Sequence, residues 1–401
     1  MKILMVNKFL YPKGGSETYM FMLADYLKSK GHEVSYFGMY DERNIVDSNT
    51  SLHVGNMDFH SKSIGRFLYP LKVIYSSEAR VKIRNMIQSV RPDIVHINNF
   101  NYQLTPSILY EIRDLKVPAV QTMHDPNLVC PSHTLYNYQK QQVCEKCKGN
   151  RFYMCALTKC MDGKLSKSLL GTVESYLYHF LGVYKTIKYF ICPSNFIKEK
   201  FVEFGADKSR MRVLHNFIIP QGQISYDKKD YVLYFGRLSQ EKGLHSLIEA
   251  AKSLPHIRFV FAGTGPMEKE PGRYDNIEYA GFKKGEDLKK LIGESLFTIY
   301  PSNWYENCPM SILESHSLGT PVIGAKIGGI PELIQDGVDG LLFKAGDSAD
   351  LAEKISSLYE NRKLILEMSQ NSITESDKFS IEEYYKGIMN IYEDAIKGQT
   401  L

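Results

Sequence analysis

Short apolar runs that end in polar or glycine-bearing loops, each followed by apolar residues at helical spacing, recur along the whole chain. Ile3–Val6, Asp93–Ile97, Pro118–Thr122 and Tyr189–Ser194 are such runs in the first half. Tyr231–Phe235, Arg258–Ala262, Ile277–Gly281, Leu296–Tyr300 and Pro321–Gly324 are their counterparts in the second. Strands of this kind alternating with helices predict an α/β fold built on buried parallel sheets. Ser16 is the expected N-cap of the first helix, whose Met20, Leu23, Ala24 and Leu27 fall at i, i+3, i+4 and i+7. A chain of 401 residues has room for two or three domains. The polar stretch Pro220–Asp230 is the expected seam: residues 1–216 form a first domain, 217–376 a second, and 377–401 a final helix whose Ile388, Ile391 and Ala395 pack on a neighbour.

The stretch Ser302–Glu314 carries the densest chemistry. It reads as a loop running into a helix, with Pro309 at the first helical position and Gly319 just past the end. Glu306 then sits in a strand-to-helix crevice, and Glu314 lies in the helix close to a whole number of turns away from the loop, so both carboxylates can face one cleft. Helix N-termini bind anions. Two acids there suit a sugar nucleotide, with amides for the diphosphate and carboxylates for ribose and hexose hydroxyls. The plainer alternative is a solvated loop acid and a helix-surface charge.

Other loops supply complementary groups. Gly14-Gly15 follows the first strand and is not GxGxxG, which counts against a nicotinamide or flavin site. His124 and Asp125 follow a strand directly, at the end where open sheets bind ligands. Arg237 and Lys242 flank a turn carrying two glycines, a suitable diphosphate clamp or else two solvated charges. Gly263 and Gly265 form one further glycine loop, and Gly328-Gly329 another.

Five of seven cysteines, Cys130, Cys144, Cys147, Cys155 and Cys160, fall in an insertion at about 130–160. Their density is that of a zinc knuckle, although the spacing matches no standard finger; an iron–sulfur centre and free thiols are the alternatives. The insertion is basic, with Lys140, Lys146, Lys148, Arg151, Lys159, Lys164 and Lys167 against Glu145 and Asp162, and it either covers the acceptor side or meets a membrane. Residues 58–90 are also basic and amphipathic: Lys62, Arg66, Lys72, Arg80, Lys82 and Arg84 interleave with apolar residues, either on an anionic bilayer or as a solvated helix face. A net charge of +4 is too small to argue for nucleic acid, and no apolar run approaches the roughly 18 residues of a membrane span. Met1–Asn7 reads as a strand rather than a signal peptide, so the expected location is the cytoplasm, on or off the inner face of the membrane.

Taken together, Gly236-Arg237-Leu-Ser-Gln-Glu-Lys242-Gly243, Gly263-Thr-Gly265-Pro266, the Glu306/Glu314 pair and Gly328-Gly329-Ile-Pro-Glu332 resemble the retaining glycosyltransferases of family 4, the group 1 family. Gly14-Gly15 and Thr122–Asp125 match it more loosely. The resemblance implies the GT-B fold: two Rossmann-like domains facing across a deep cleft, the last helix crossing back to the first domain. It also implies a nucleotide-diphosphate sugar donor held by the second domain and a saccharide or lipid-linked saccharide acceptor on the first. Arg237 and Lys242 would hold the diphosphate, Glu314 the ribose, and Glu306 the transferred hexose. Asn307, Cys308, Pro309 and Met310 would lend backbone amides, Gly15 would let the first loop close, and His124 would lie near the donor sugar. Asn307-Cys308-Pro309 stands where many members have Gly-Phe-Gly, so the sugar pocket differs. No DxD-type run is present to hold a catalytic metal, and no catalytic cofactor is expected. Retention implies front-face attack, Glu306 orienting rather than forming an adduct. The reaction would serve surface polysaccharide or glycolipid assembly; a nucleotide-sugar epimerase, a phosphorylase or a non-catalytic binding subunit are the competing readings on this architecture.

Overall fold

The computed structural model describes residues 1–46, 50–55, 72, 74–219 and 227–398. Six parallel strands, β1 (Lys2–Asn7), β2 (Glu33–Phe37), β3 (Ile94–Asn99), β4 (Ala119–Thr122), β7 (Tyr189–Cys192) and β8 (Met211–Val213), make a first sheet in the order β2-β1-β3-β4-β7-β8. A second parallel sheet runs β11-β10-β9-β12-β13-β14, from β9 (Val232–Phe235), β10 (Phe259–Ala262), β11 (Ile277–Gly281), β12 (Thr298–Tyr300), β13 (Val322–Ala325) and β14 (Gly340–Phe343). Between β4 and β7 in sequence, β5 (Tyr136–Asn137) and β6 (Gln142–Val143) form a small antiparallel hairpin within the cysteine-bearing segment.

Strand order decides where ligands can sit. In open parallel sheets the crevice lies beyond the strand C-termini, where chain order reverses. That point falls between β1 and β3 in the first sheet and between β9 and β12 in the second. The Ser302–Glu314 stretch leaves β12, and the Arg237–Lys242 turn leaves β9, so both arise at the second switch point.

The helix Ile381–Lys397 returns to the first sheet, where Ile381, Tyr384, Ile388 and Tyr392 join a core with Ile3, Met5 and Val120. Tyr392 Oη lies 2.6 Å from His96 Nδ1, and His96 Nε2 lies 2.8 Å from Thr122 Oγ1. Burial holds the His96 imidazole down at about 3, so it is neutral.

Two helix starts differ from expectation. The first helix begins at Gly15 with Gly14 as its N-cap, so Ser16 lies inside the first turn and no side chain caps the end. The Gly14 carbonyl accepts the first helical bond, from Thr18 N, and a second from Thr18 Oγ1. Pro309 is the N-cap rather than the first helical residue, because its ψ of 121° is still extended. Of the basic 58–90 stretch, Lys62 and Arg66 lie outside the described residues; so does most of Pro220–Asp230.

Candidate functional site

A cavity of about 660 Å³ opens between the two sheets, lined from the first by Gly15, Ser16, His124 and Asp125 and from the second by Gly236, Lys242, Glu306–Ser311 and Glu314. Its electrostatic centre is Glu306. Lys242 Nζ (2.7 Å), Ser302 Oγ (2.8 Å) and Trp304 Nε1 (2.6 Å) all donate to Oε1. Burial works against the charge on Glu306, but the Lys242 ammonium and these hydrogen bonds outweigh it and hold the carboxyl below its usual range. Lys242 is correspondingly held above its usual value, and its ammonium also reaches Tyr300 Oη at 3.3 Å. The cation expected at the diphosphate and the acid expected at the transferred sugar are thus a contact pair.

Glu314 faces the same cavity, but its carboxyl has no hydrogen bond or ion pair among the described residues, and burial pushes it up to about 7. An acid with open hydrogen-bonding capacity on the cavity wall suits vicinal hydroxyls. Arg237 does not join this group. Its side chain is exposed and is not part of the cavity wall, while its carbonyl accepts from Tyr234 Oη at 2.7 Å. It lies at the rim, near enough for its charge to act on Tyr138 together with that of Lys242.

Gly263 and Gly265 do not line the cavity either. A Cβ on Gly263 would stand 1.8 Å from the Gly236 carbonyl oxygen, and one on Gly265 2.3 Å from that of Leu238, both at positive φ. They let the β10 loop back the β9 loop against the cavity. Gly14 and Gly15 are under no such pressure: the nearest atom to a Gly14 Cβ is Glu17 Oε2 at 3.5 Å, and nothing lies within 4 Å of one on Gly15. Gly15 and Ser16, in the first turn of that 15-residue helix whose end no side chain caps, line the cavity.

His124 Nε2 lies 3.0 Å from Asn98 Oδ1, and burial lowers its imidazole to about 4, so it is neutral and serves as a hydrogen-bonding group. Burial raises Asp125 to about 6, against the pull of Lys8 and of hydrogen bonds from Asn127 and Asn99. Asn307 ties the halves together: its Nδ2 donates to the Met123 carbonyl at 2.6 Å, and its Oδ1 accepts from Ser194 Oγ at 3.0 Å. Cys308 is buried, its carbonyl accepting from Asn216 Nδ2 at 2.8 Å, and lines the cavity with Pro309 and Met310. Glu332 reaches across to the helix Asn195–Glu203, accepting from Asn195 N (2.8 Å), Phe196 N (2.6 Å) and His215 Nε2 (2.9 Å).

Trp304 and Ser302 belong to the site without having been picked out from sequence, although the chain's lone tryptophan two residues before Glu306 was a usable signal. The hairpin residue Tyr136, whose ring meets Trp304 edge-on at 6.2 Å, carried none. Of the cysteines, Cys147, Cys155 and Cys160 share a small apolar cluster with Phe152, and Cys160 Sγ donates to Cys155 Sγ at 2.9 Å. Cys130 is buried beside Ser132, and Cys144 is half-buried. All are free thiols, and among the described residues no three His, Cys, Asp or Glu are arranged to hold a metal ion.

The family model described as Glycosyltransferase Family 4 matches residues 13–221, and that described as Glycosyl transferases group 1 matches 217–375. An uncharacterized glycosyltransferase of Methanocaldococcus jannaschii is 30% identical over 51% of this chain, a match spanning 59% of that relative's length. An uncharacterized protein of the cps region of Klebsiella pneumoniae is 24% identical over 83% of this chain and 87% of its own. Among solved structures, HepE of Anabaena in complex with UDP superposes with a TM-score of 0.68 at 18% identity, covering 98% of this chain and all (100%) of the other.

Proposed function

This chain belongs to the family 4, group 1 glycosyltransferases, and from that premise we propose that it is a retaining hexosyltransferase using a nucleotide-diphosphate sugar. Its fold is GT-B, two parallel-sheet domains about one cleft. The observation that carries the reading is the Lys242–Glu306 contact with the open Glu314 carboxylate in one cavity at the second switch point. Breaking a glycosyl–phosphate bond places negative charge on the departing diphosphate, which Lys242 and the uncapped amides at Gly15 and Ser16 are placed to stabilise. Arg237 joins from the rim. Glu306 presents Oε2 to sugar hydroxyls while three donors fix Oε1, and Glu314 takes the ribose. Front-face attack then leaves the acceptor proton on the diphosphate, with no metal in the step.

The relative from a cps region and the UDP complex of HepE support a UDP-type donor and a saccharide or lipid-linked acceptor in surface polysaccharide assembly. Seating on the inner face of the membrane belongs to the same proposal. The helix Leu165–Phe180 exposes Leu165, Leu169, Val173, Leu177 and Phe180 beside the exposed Lys159, Lys164 and Lys167. Among the described residues no helix is long and apolar enough to cross a membrane. Co-flotation with phosphatidylglycerol vesicles but not with phosphatidylcholine vesicles is expected. A structural zinc on Cys130, Cys144, Cys147, Cys155 and Cys160 rests on sequence alone; elemental analysis finding about one zinc per chain would support it, and five titratable thiols would reject it.

Thermal shift against UDP-, GDP- and ADP-sugars tests the donor site, since bound donor raises the melting temperature by mass action. One class should stabilise the wild type, and Lys242→Ala or Glu314→Ala should remove most of that shift. A full shift in both variants would show the site is elsewhere.

A further inference from the structure

The first sheet has its own switch point, and a second cavity of about 470 Å³ stands on it. Lys8 and Phe9 reach it from the end of β1, and Asn101, Tyr102 and Gln103 from the end of β3. The remaining wall comes from the cysteine-bearing segment and the helix Leu165–Phe180, so the cavity does not exist without that insertion. On this wall lies Glu174, only 7% exposed, with no hydrogen bond or ion pair among the described residues. A buried acid without a partner costs folding free energy, so it points to a ligand that completes it. Burial alone raises its carboxyl to about 8.

The lining narrows the ligand. Phe9, Tyr102 and Tyr138 give aromatic faces, while Glu174, Asn101 and Gln103 give hydrogen-bonding groups. An alkyl chain would leave Glu174 unsatisfied; of the two lysines on the wall Lys167 is already paired with Asp162 at 2.6 Å, so a phosphate would meet Glu174 with Lys8 alone to offset it. A pyranose ring has apolar C–H faces and a rim of hydroxyls, and so fits both sets. Position adds to this. Tyr102 stacks on His133 (5.1 Å between centroids, 23° between planes), and His133 lines the Glu306 cavity, so the two cavities share a wall. Tyr138 meets Tyr136 edge-on at 5.2 Å, and Tyr136 meets Trp304.

We propose that this insertion-built cavity at the β1/β3 switch point binds a sugar ring of the acceptor, with Glu174 accepting or donating to its hydroxyls and Tyr138 closing over its face. This inference rests on the glycosyltransferase reading above. The test is saturation-transfer NMR on the full chain with methyl glycosides of glucose, galactose, mannose and N-acetylglucosamine, using n-octanol as an apolar control and UDP thermal shift run in parallel. At least one glycoside should saturate with the wild type and bind alongside UDP. Glu174→Leu, which removes the hydrogen bonds and keeps an apolar filler, and Tyr138→Ala at the half-exposed rim should each weaken it about fivefold or more. The UDP shift should survive in both variants. Undiminished glycoside binding in Glu174→Leu, displacement by UDP, octanol binding as well as the sugars, or no glycoside signal in the wild type would each overturn the assignment. Absence of a UDP shift in the wild type would instead strike the UDP-type donor, so the two failures are separable.

Discussion

At the switch point of the second sheet a Cβ on Gly243 would stand 1.7 Å from the Pro301 carbonyl oxygen, and one on Gly329, past the end of the neighbouring β13, 1.9 Å from that of Asn307. At the switch point of the first, Gly15 has nothing within 4 Å, and the enclosing wall is an inserted hairpin and helix. One side of the cleft is built by loops locked backbone to backbone, which pre-position Lys242 and Glu306. The other is built by side chains around open space. The difference shows that glycine serves two purposes at these loops: close backbone approach at Gly243, clearance at Gly15.

Four measurements break or sharpen that contrast. Lys242→Ala should have the largest effect, lowering transfer by about 100-fold or more and destabilising the fold by about 3–5 kcal/mol in urea denaturation because Glu306 is left buried and unpaired. A variant that keeps normal turnover would remove the central ion pair from the mechanism. Gly243→Ala, clashing with Pro301 at φ +75°, should cost about 3 kcal/mol or more, whereas Gly15→Ala should shift stability by less than about 1 kcal/mol while weakening donor binding. Equal stability losses at the two glycines would erase the distinction between the sides.

Glu314 gives a pH effect of intermediate size. Its folded value of about 7 lies above the ordinary 4.5, so its contribution is fully present at low pH and is lost as pH rises through about 7. Between about pH 5 and pH 8 the wild type should lose on the order of 1–3 kcal/mol relative to Glu314→Gln; parallel stability curves would contradict the burial of that acid. Smallest is the bridge between the halves. Glu332→Gln should cost about 1–2 kcal/mol and raise the KM for donor more than it lowers kcat, if the helix Asn195–Glu203 is held in place by that carboxylate.

Much of this was legible locally. The apolar runs mark the strands because a buried parallel strand must be apolar on both faces. Gly236, Gly243, Gly263 and Gly328-Gly329 mark loops that leave the strands; Glu306 and Lys242 stand in such loops, and Glu314 in the helix that follows one. Arg237 looked equivalent to Lys242 in the same turn, but the chain leaves it at the rim while Lys242 turns inward to Tyr300 and Glu306. Glu174 gave no signal, since an acid in an amphipathic helix ordinarily faces water.

Sequence by itself determined the succession of strands, the loops that end them and the residue types those loops carry, because these depend on periodicity and on neighbours a few positions apart. Only the tertiary structure decided which loops meet. Lys242 and Glu306 are 64 residues apart in the chain, Asn307 and Met123 184 apart, and such contacts follow from the strand order and from two cores docking. No local pattern encodes them, since they are properties of the packed whole.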